Sequence, residues 1–181
     1  GADPAVSEDI ADVQAATWLV LPGVGAFGPA MQRLVEHNLV AALAERVRGG
    51  SPTLAVCLGL QLLAESSAES PGVAGLGVLP TQVTRFPDTV RVPQLGWNEV
   101  QADPAAVLQK TGYAYFANSY RLVEPPAGWT AAFADHGGRF VAALERGALL
   151  ACQFHPELSG PWGLDLLRRW LQRGAQERPA C

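Results

Sequence analysis

The sequence predicts an α/β fold, with a mostly parallel central sheet flanked by helices and an additional antiparallel portion. Three observations carry this. Short, continuously apolar runs at 18–21 and 53–56 are of the kind buried on both faces of a parallel sheet. The segment 27–48 between them repeats Met31, Leu34, Val35, Leu39, Leu43 and Val47 near helical spacing, so strand, helical crossover and strand form a βαβ unit with a right-handed connection. Beyond residue 78 the chain turns to short β-like runs separated by Pro and Gly turns, the pattern of antiparallel strands.

Composition narrows the class. The 181 residues are expected to form one domain, 1–181, large enough for a core without covalent staples. Apolar residues make up 49% and charged ones 17%, which argues against disorder. A net charge of −4 with scattered Lys and Arg leaves no basic footprint, so neither nucleic acid nor an anionic membrane is implied as a partner. Cys57, Cys152 and Cys181 are odd in number, widely spaced and without a Cys-x-x-Cys, which points to a reducing compartment and gives no metal site. No apolar run reaches the roughly 18 residues of a membrane span, and no cationic leader opens the chain. A soluble, cytoplasmic protein is expected.

Taken in order, Ser7-Glu8-Asp9-Ile10 reads as a helix N-terminus with Ser7 as cap and acids at the positive end of the dipole. The strand 18–21 stops at Pro22-Gly23-Val24-Gly25, a loop whose backbone can approach a ligand and turn an N–H toward it. The helical stretch 27–48 breaks at Asn38 and ends on Gly49-Gly50. Thr53-Leu54-Ala55-Val56 then runs into Cys57, Gly59 allows close packing, and a helix follows to about Glu65. Read alone, Cys57 is a buried strand cysteine. At a strand-to-helix turn it is also placed as a nucleophile, near N–H groups that lower a thiol pKa and can hold an oxyanion.

Residues 66–77 read as a surface loop. Strands are expected at 78–86, 90–100, 113–122, 130–135, 139–144 and 149–154, with a hairpin corner at His136-Gly137-Gly138. A closing helix from Trp162 to about Arg173 carries Leu164, Leu167, Trp170 and Leu171 on one face. In a parallel sheet ligands bind beyond the carboxyl ends of the strands, so the 22–25 loop and Cys57 should face each other. Gln153-Phe154-His155-Pro156-Glu157 closes the last strand, and in extended chain His155 and Glu157, two apart, point the same way. That is a base with its orienter: imidazole to take a thiol proton, carboxylate to fix the tautomer.

With these pieces quoted, the sequence resembles the class I (triad) glutamine amidotransferases, of flavodoxin-like fold. Leu21-Pro22-Gly23-Val24-Gly25-Ala26-Phe27-Gly28, Cys57-Leu58-Gly59-Leu60-Gln61-Leu62-Leu63, Val92-Pro93-Gln94-Leu95-Gly96-Trp97-Asn98 and Phe154-His155-Pro156-Glu157 are similar to the glutaminase subunits of imidazole glycerol phosphate synthases, in order along essentially the whole chain. The resemblance implies that Cys57 attacks the glutamine side-chain amide, that His155 serves as base and then acid, and that Glu157 orients His155. It implies an oxyanion hole from the N–H groups of Leu58 and, after a peptide reorientation, Val24. Gly23, Gly25, Gln61, Ser119 and Tyr120 would line the substrate site. Ammonia would pass to a (β/α)₈ cyclase subunit that makes imidazole glycerol phosphate and AICAR in histidine biosynthesis, with Gln94, Trp97, Asn98 and Leu158 facing that partner. No cofactor is implied. Two other readings stay open: the same chemistry feeding a different synthase, and a non-catalytic interaction subunit.

The chain departs from the family pattern at three places. Asn118 stands where His is common, and Leu158 where Lys is common, which removes a possible charge pair across the interface. The family's first strand and helix, with an Asp-Tyr-Gly-x-Gly-Asn motif, would precede Gly1. A chain without them is expected to expose sheet edges and to be poorly stable.

Overall fold

The computed structural model describes residues 3–176; Gly1 and Cys181 lie outside the described residues. The first helix, α1, is Ile10–Ala15. Its cap is Asp9, whose carboxylate accepts from the Ala11 N–H, and not Ser7, which instead bonds Asp12 and accepts from the Asp9 N–H. The βαβ unit forms as expected. Strand β1 (Leu19–Leu21) is followed by α2 (Phe27–Glu36), α3 (Leu39–Arg48) and β2 (Thr53–Val56). Asn38 breaks the helical stretch by taking the left-handed conformation, φ 58°, which short polar side chains tolerate. Arg46 of α3 ties this unit together, donating to the carbonyls of Val13, Ala16, Thr17 and Pro52.

After β2 comes a helix shorter than expected, α4 (Leu58–Leu62), and then a strand, β3 (Ala64–Ser67), where the end of that helix and the start of a surface loop are expected. It pairs parallel with β4 (Leu79–Arg85), a long-range contact that composition does not report. The later strands are β5 (Gln94–Ala102), β6 (Gly112–Asn118), β7 (Tyr120–Arg121), β8 (Thr130–Asp135), β9 (Arg139–Arg146) and β10 (Leu149–Cys152). The run expected as one strand at 113–122 is split at Ser119, because β6 pairs with β5 while β7 crosses to β4.

Two sheets result. The larger has the order β1-β2-β10-β9-β8-β5-β6, and the smaller is β3-β4-β7. In the larger sheet β1–β2 and β2–β10 are parallel, and the pairings from β10 outward to β6 are antiparallel, so the sheet is mixed. A helix, α5 (Gly160–Gln176), follows a short 3₁₀ turn at Pro156–Leu158. No helix among the described residues is long and apolar enough to cross a membrane.

Every residue of β2 is buried, as a central parallel strand requires. Its alternation divides the core: Ala55 packs with Phe27, Met31, Leu43 and Leu60 on the α2–α4 side, whereas Leu54 and Val56 pack with Phe140, Phe154, Leu166 and Trp170 toward α5. The consequence is a rigid central strand that delivers Cys57 to the sheet's carboxyl end.

Candidate active site

Cys57 follows β2 directly and takes φ 55°, ψ −109°, a conformation that costs a non-glycine residue about 1–3 kcal/mol. Its N–H donates to the Cys152 carbonyl at 2.7 Å, extending the β2–β10 pairing by one residue. The strain is therefore held by the central sheet, and the side chain is turned out of the strand at the start of α4. This is the strand-to-helix elbow expected of a nucleophile.

The 22–25 loop is pressed against that elbow. A Cβ on Gly23 would lie 2.4 Å from the Gly59 nitrogen and 2.5 Å from Leu58 Cβ. A Cβ on Gly59 would lie 2.2 Å from the Leu21 carbonyl oxygen. Only glycine fits at both places, so the two loops do face each other. Gly25 sits at φ +96° with open space around it, and the Val24 side chain is exposed.

His155 and Glu157 meet by a different route from the one extended chain provides. Pro156–Leu158 is a 3₁₀ turn, and across it His155 Nδ1 and Glu157 Oε1 are 2.8 Å apart. A carboxylate oxygen at this distance accepts, so Nδ1 carries a proton and in the neutral ring Nε2 is the nitrogen with a free lone pair. The His155 N–H donates to the Tyr115 carbonyl and the Ser159 hydroxyl donates to the His155 carbonyl, which pins the backbone at His155 to β6.

Around the sulfur the polar contacts come from neighbours. Gln153, fully buried on the segment after β10, donates from Nε2 to Cys57 Sγ at 3.8 Å. Its Oε1 accepts from Gln61 Nε2 at 2.9 Å, and Gln61 Nε2 also donates to the Tyr120 carbonyl at 3.2 Å. The sequence-expected substrate residues Gln61 and Tyr120 are thus joined, with Ser119 adjoining in the chain between β6 and β7. Among the described residues no hydrogen bond links Cys57 to His155. The thiol is also not lowered, as the helix terminus would have it. Burial pushes it up from 9.0 to about 11 against the pull of the Leu58 N–H, and the Glu157 carboxylate adds to the rise while the Gln153 amide opposes it.

The four residues expected to face a partner divide. Trp97 is 58% exposed and packs edge-to-face with Tyr115, and Leu158 is 53% exposed. Gln94 is buried and Asn98 is turned to the inner face of β5, its amide donating to the Asp135 carbonyl. The strand alternation decides this: Leu95 and Trp97 point outward, Gln94 and Asn98 inward. Leu95, inside the 94–98 stretch expected to face the partner, and Tyr113, which sequence reasoning did not single out, are both about as exposed as Trp97. Sequence reasoning also gave no role to Gln153, the first residue of the quoted Gln153-Phe154-His155-Pro156-Glu157 segment.

The model of the class-I glutamine amidotransferases matches residues 3–173. The chain belongs to that family. Among curated relatives of this amidotransferase, a Methanothermobacter thermautotrophicus protein named imidazole glycerol phosphate synthase subunit HisH is 43% identical over 175 residues, covering 95% of this chain and 87% of that one. An Arabidopsis thaliana protein named imidazole glycerol phosphate synthase hisHF, chloroplastic, is 41% identical over 167 residues, covering 88% of this chain and 28% of that one. The amidotransferase fold recurs in a crystal structure of a glutamine amidotransferase with a TM-score of 0.72 at 21% identity, covering 93% of this chain and 85% of that one.

Proposed function

We propose that this amidotransferase, acting as one domain, is the glutaminase subunit of an imidazole glycerol phosphate synthase. It hydrolyses glutamine to glutamate and ammonia, and the ammonia passes to a (β/α)₈ cyclase subunit that makes imidazole glycerol phosphate and AICAR in the cytoplasm. The observation that carries the chemistry is the strained Cys57 elbow on β2 beside the His155–Glu157 pair after β10, adjacent parallel strands of one sheet. The relatives' names carry the pathway.

In this reading His155 Nε2 takes the thiol proton, and the thiolate attacks the side-chain amide carbon of glutamine. The oxyanion is held by the Leu58 N–H and by the Val24 N–H once the 23–24 peptide turns, next to Gly25 at φ +96° with open space around it. His155 then gives its proton to the departing ammonia, and water hydrolyses the thioester. Gln61 has its amide nitrogen engaged internally, so it offers the substrate its carbonyl oxygen, which pairs with a donor such as the α-ammonium group.

A thiol near 11 without a hydrogen bond to its base is a resting arrangement. Activation then follows docking of the cyclase on the exposed Leu95, Trp97 and Leu158. The test is ammonia release from glutamine, with and without the cyclase subunit. Release that rises on adding the cyclase and vanishes in Cys57→Ala supports the reading; undiminished release by Cys57→Ala ends it.

A further inference from the structure

Gln153 is fully buried, polar, and bonded through both ends of its amide. Its orientation is fixed by a group that cannot switch roles. The Tyr120 carbonyl only accepts, so the Gln61 atom facing it at 3.2 Å is the NH₂ group. The same Gln61 nitrogen faces Gln153 at 2.9 Å, which makes the Gln153 atom there the carbonyl oxygen. What Gln153 turns to Cys57 Sγ is therefore an N–H donor. Asn118 Nδ2 donates to the same Tyr120 carbonyl at 3.0 Å, completing its two lone pairs. The result is a chain of donors that runs outward from Gln61, back to the Tyr120 carbonyl of β7 and forward through Gln153 to the sulfur.

We infer that Gln153 is a positioning residue for the Cys57 nucleophile, its amide locked by Gln61 so that a hydrogen-bond donor always faces the sulfur and stabilises the thiolate once the proton leaves. A buried thiol needs such a donor, because burial opposes its charged form and Glu157 adds to that opposition. The relay also links substrate contacts at Gln61 to the state of the sulfur. For its catalytic consequence the inference rests on the glutaminase reading; for the sulfur itself it does not.

The test is the rate at which iodoacetamide alkylates Cys57 in the full chain between pH 7 and 9, read by mass mapping of the Cys57 peptide. Gln153→Met keeps the length and removes the donor. Losing one hydrogen bond to a charged sulfur raises the thiol by about one pH unit, and after partial recovery in thiolate nucleophilicity alkylation slows about threefold. Gln153→Glu keeps an acceptor for Gln61 but puts a carboxylate beside the sulfur, and slows alkylation further. Loosened packing would speed the reaction, so a purely structural role moves it in the opposite direction. If Gln153→Met loses its cooperative melt, Gln153→Glu carries the same comparison. Alkylation as fast as wild type, or faster, in the folded variants overturns the inference. With the cyclase present, Gln153→Met is expected to lose kcat for ammonia release more than it changes KM for glutamine. Wild-type protein that releases no ammonia while alkylation still slows in the variants would end the glutaminase reading and leave the Gln153 inference standing.

Discussion

A methyl group on Gly59 would lie 2.2 Å from the carbonyl oxygen of Leu21, so the start of α4 and the end of β1 touch backbone to backbone. This contact sets how near the 22–25 loop comes to Cys57. Gly59→Ala must push them apart, at a cost of about 1–3 kcal/mol of the kind seen in overpacked cores. A domain of this size loses about 2–4 °C of Tm per kcal/mol. Calorimetry should record that loss, and ammonia release should fall by more than the unfolded fraction accounts for, because in the proposed reading the Val24 N–H is then too far away to turn toward the oxyanion.

Glu157 acts on the two partners in opposite senses. Its carboxylate holds the proton of His155 Nδ1, yet its charge pushes the Cys57 thiol up. Glu157→Gln should therefore speed alkylation of Cys57 modestly, since Glu157 is half exposed and its field is screened. The same variant should lose about 10²-fold or more of ammonia release, the usual scale for a misdirected general base. Parallel movement of the two readouts would contradict this division.

The raised thiol has a consequence for alkaline stability. Cys57 ionises near 9.0 when unfolded and at about 11 when folded, so from pH 9 upward the unfolded chain releases a proton that the folded chain keeps. Stability contributed below pH 9 is lost as pH rises to 11, by about 2–3 kcal/mol for a shift of this size. Cys152 is fully buried and also raised, so it adds to the loss in the same direction. Denaturant melts of Cys57→Ala should show a shallower decline over this window than wild type.

Glu145 sits on β9 almost fully buried, and its carboxylate accepts from the backbone N–H groups of Val107, Leu108 and Gln109. It stands in for a strand partner that the 103–111 segment lacks. Glu145→Ala leaves buried N–H groups unpaired and should cost about 1–3 kcal/mol. Hydrogen exchange should show the loss of protection concentrated at those three amides.

Much of this was legible in the sequence wherever a local rule decided the outcome. The Thr53-Leu54-Ala55-Val56 run into Cys57, the break at Asn38 and the glycines of the 22–25 loop each reported their conformation through residues within a turn of one another. What stayed hidden depended on partners distant in the chain. Ala64–Ser67 is a strand only because β4 lies beside it, and the split at Ser119 follows from two sheets competing for one segment. Gln94 looks like a surface residue until the register of β5 turns it inward. The thiol moves up, not down, because burial outweighs the Leu58 N–H.

The central claim is that Cys57 attacks a glutamine amide, and covalent labelling tests it most directly. A γ-electrophilic glutamine analogue, added to the chain with its cyclase and mapped by mass spectrometry, should modify Cys57 once per chain. Excess glutamine should block the reaction, and Cys152 should stay unmodified. Labelling that glutamine does not slow, or that falls on other cysteines while Cys57 remains free, would contradict the account.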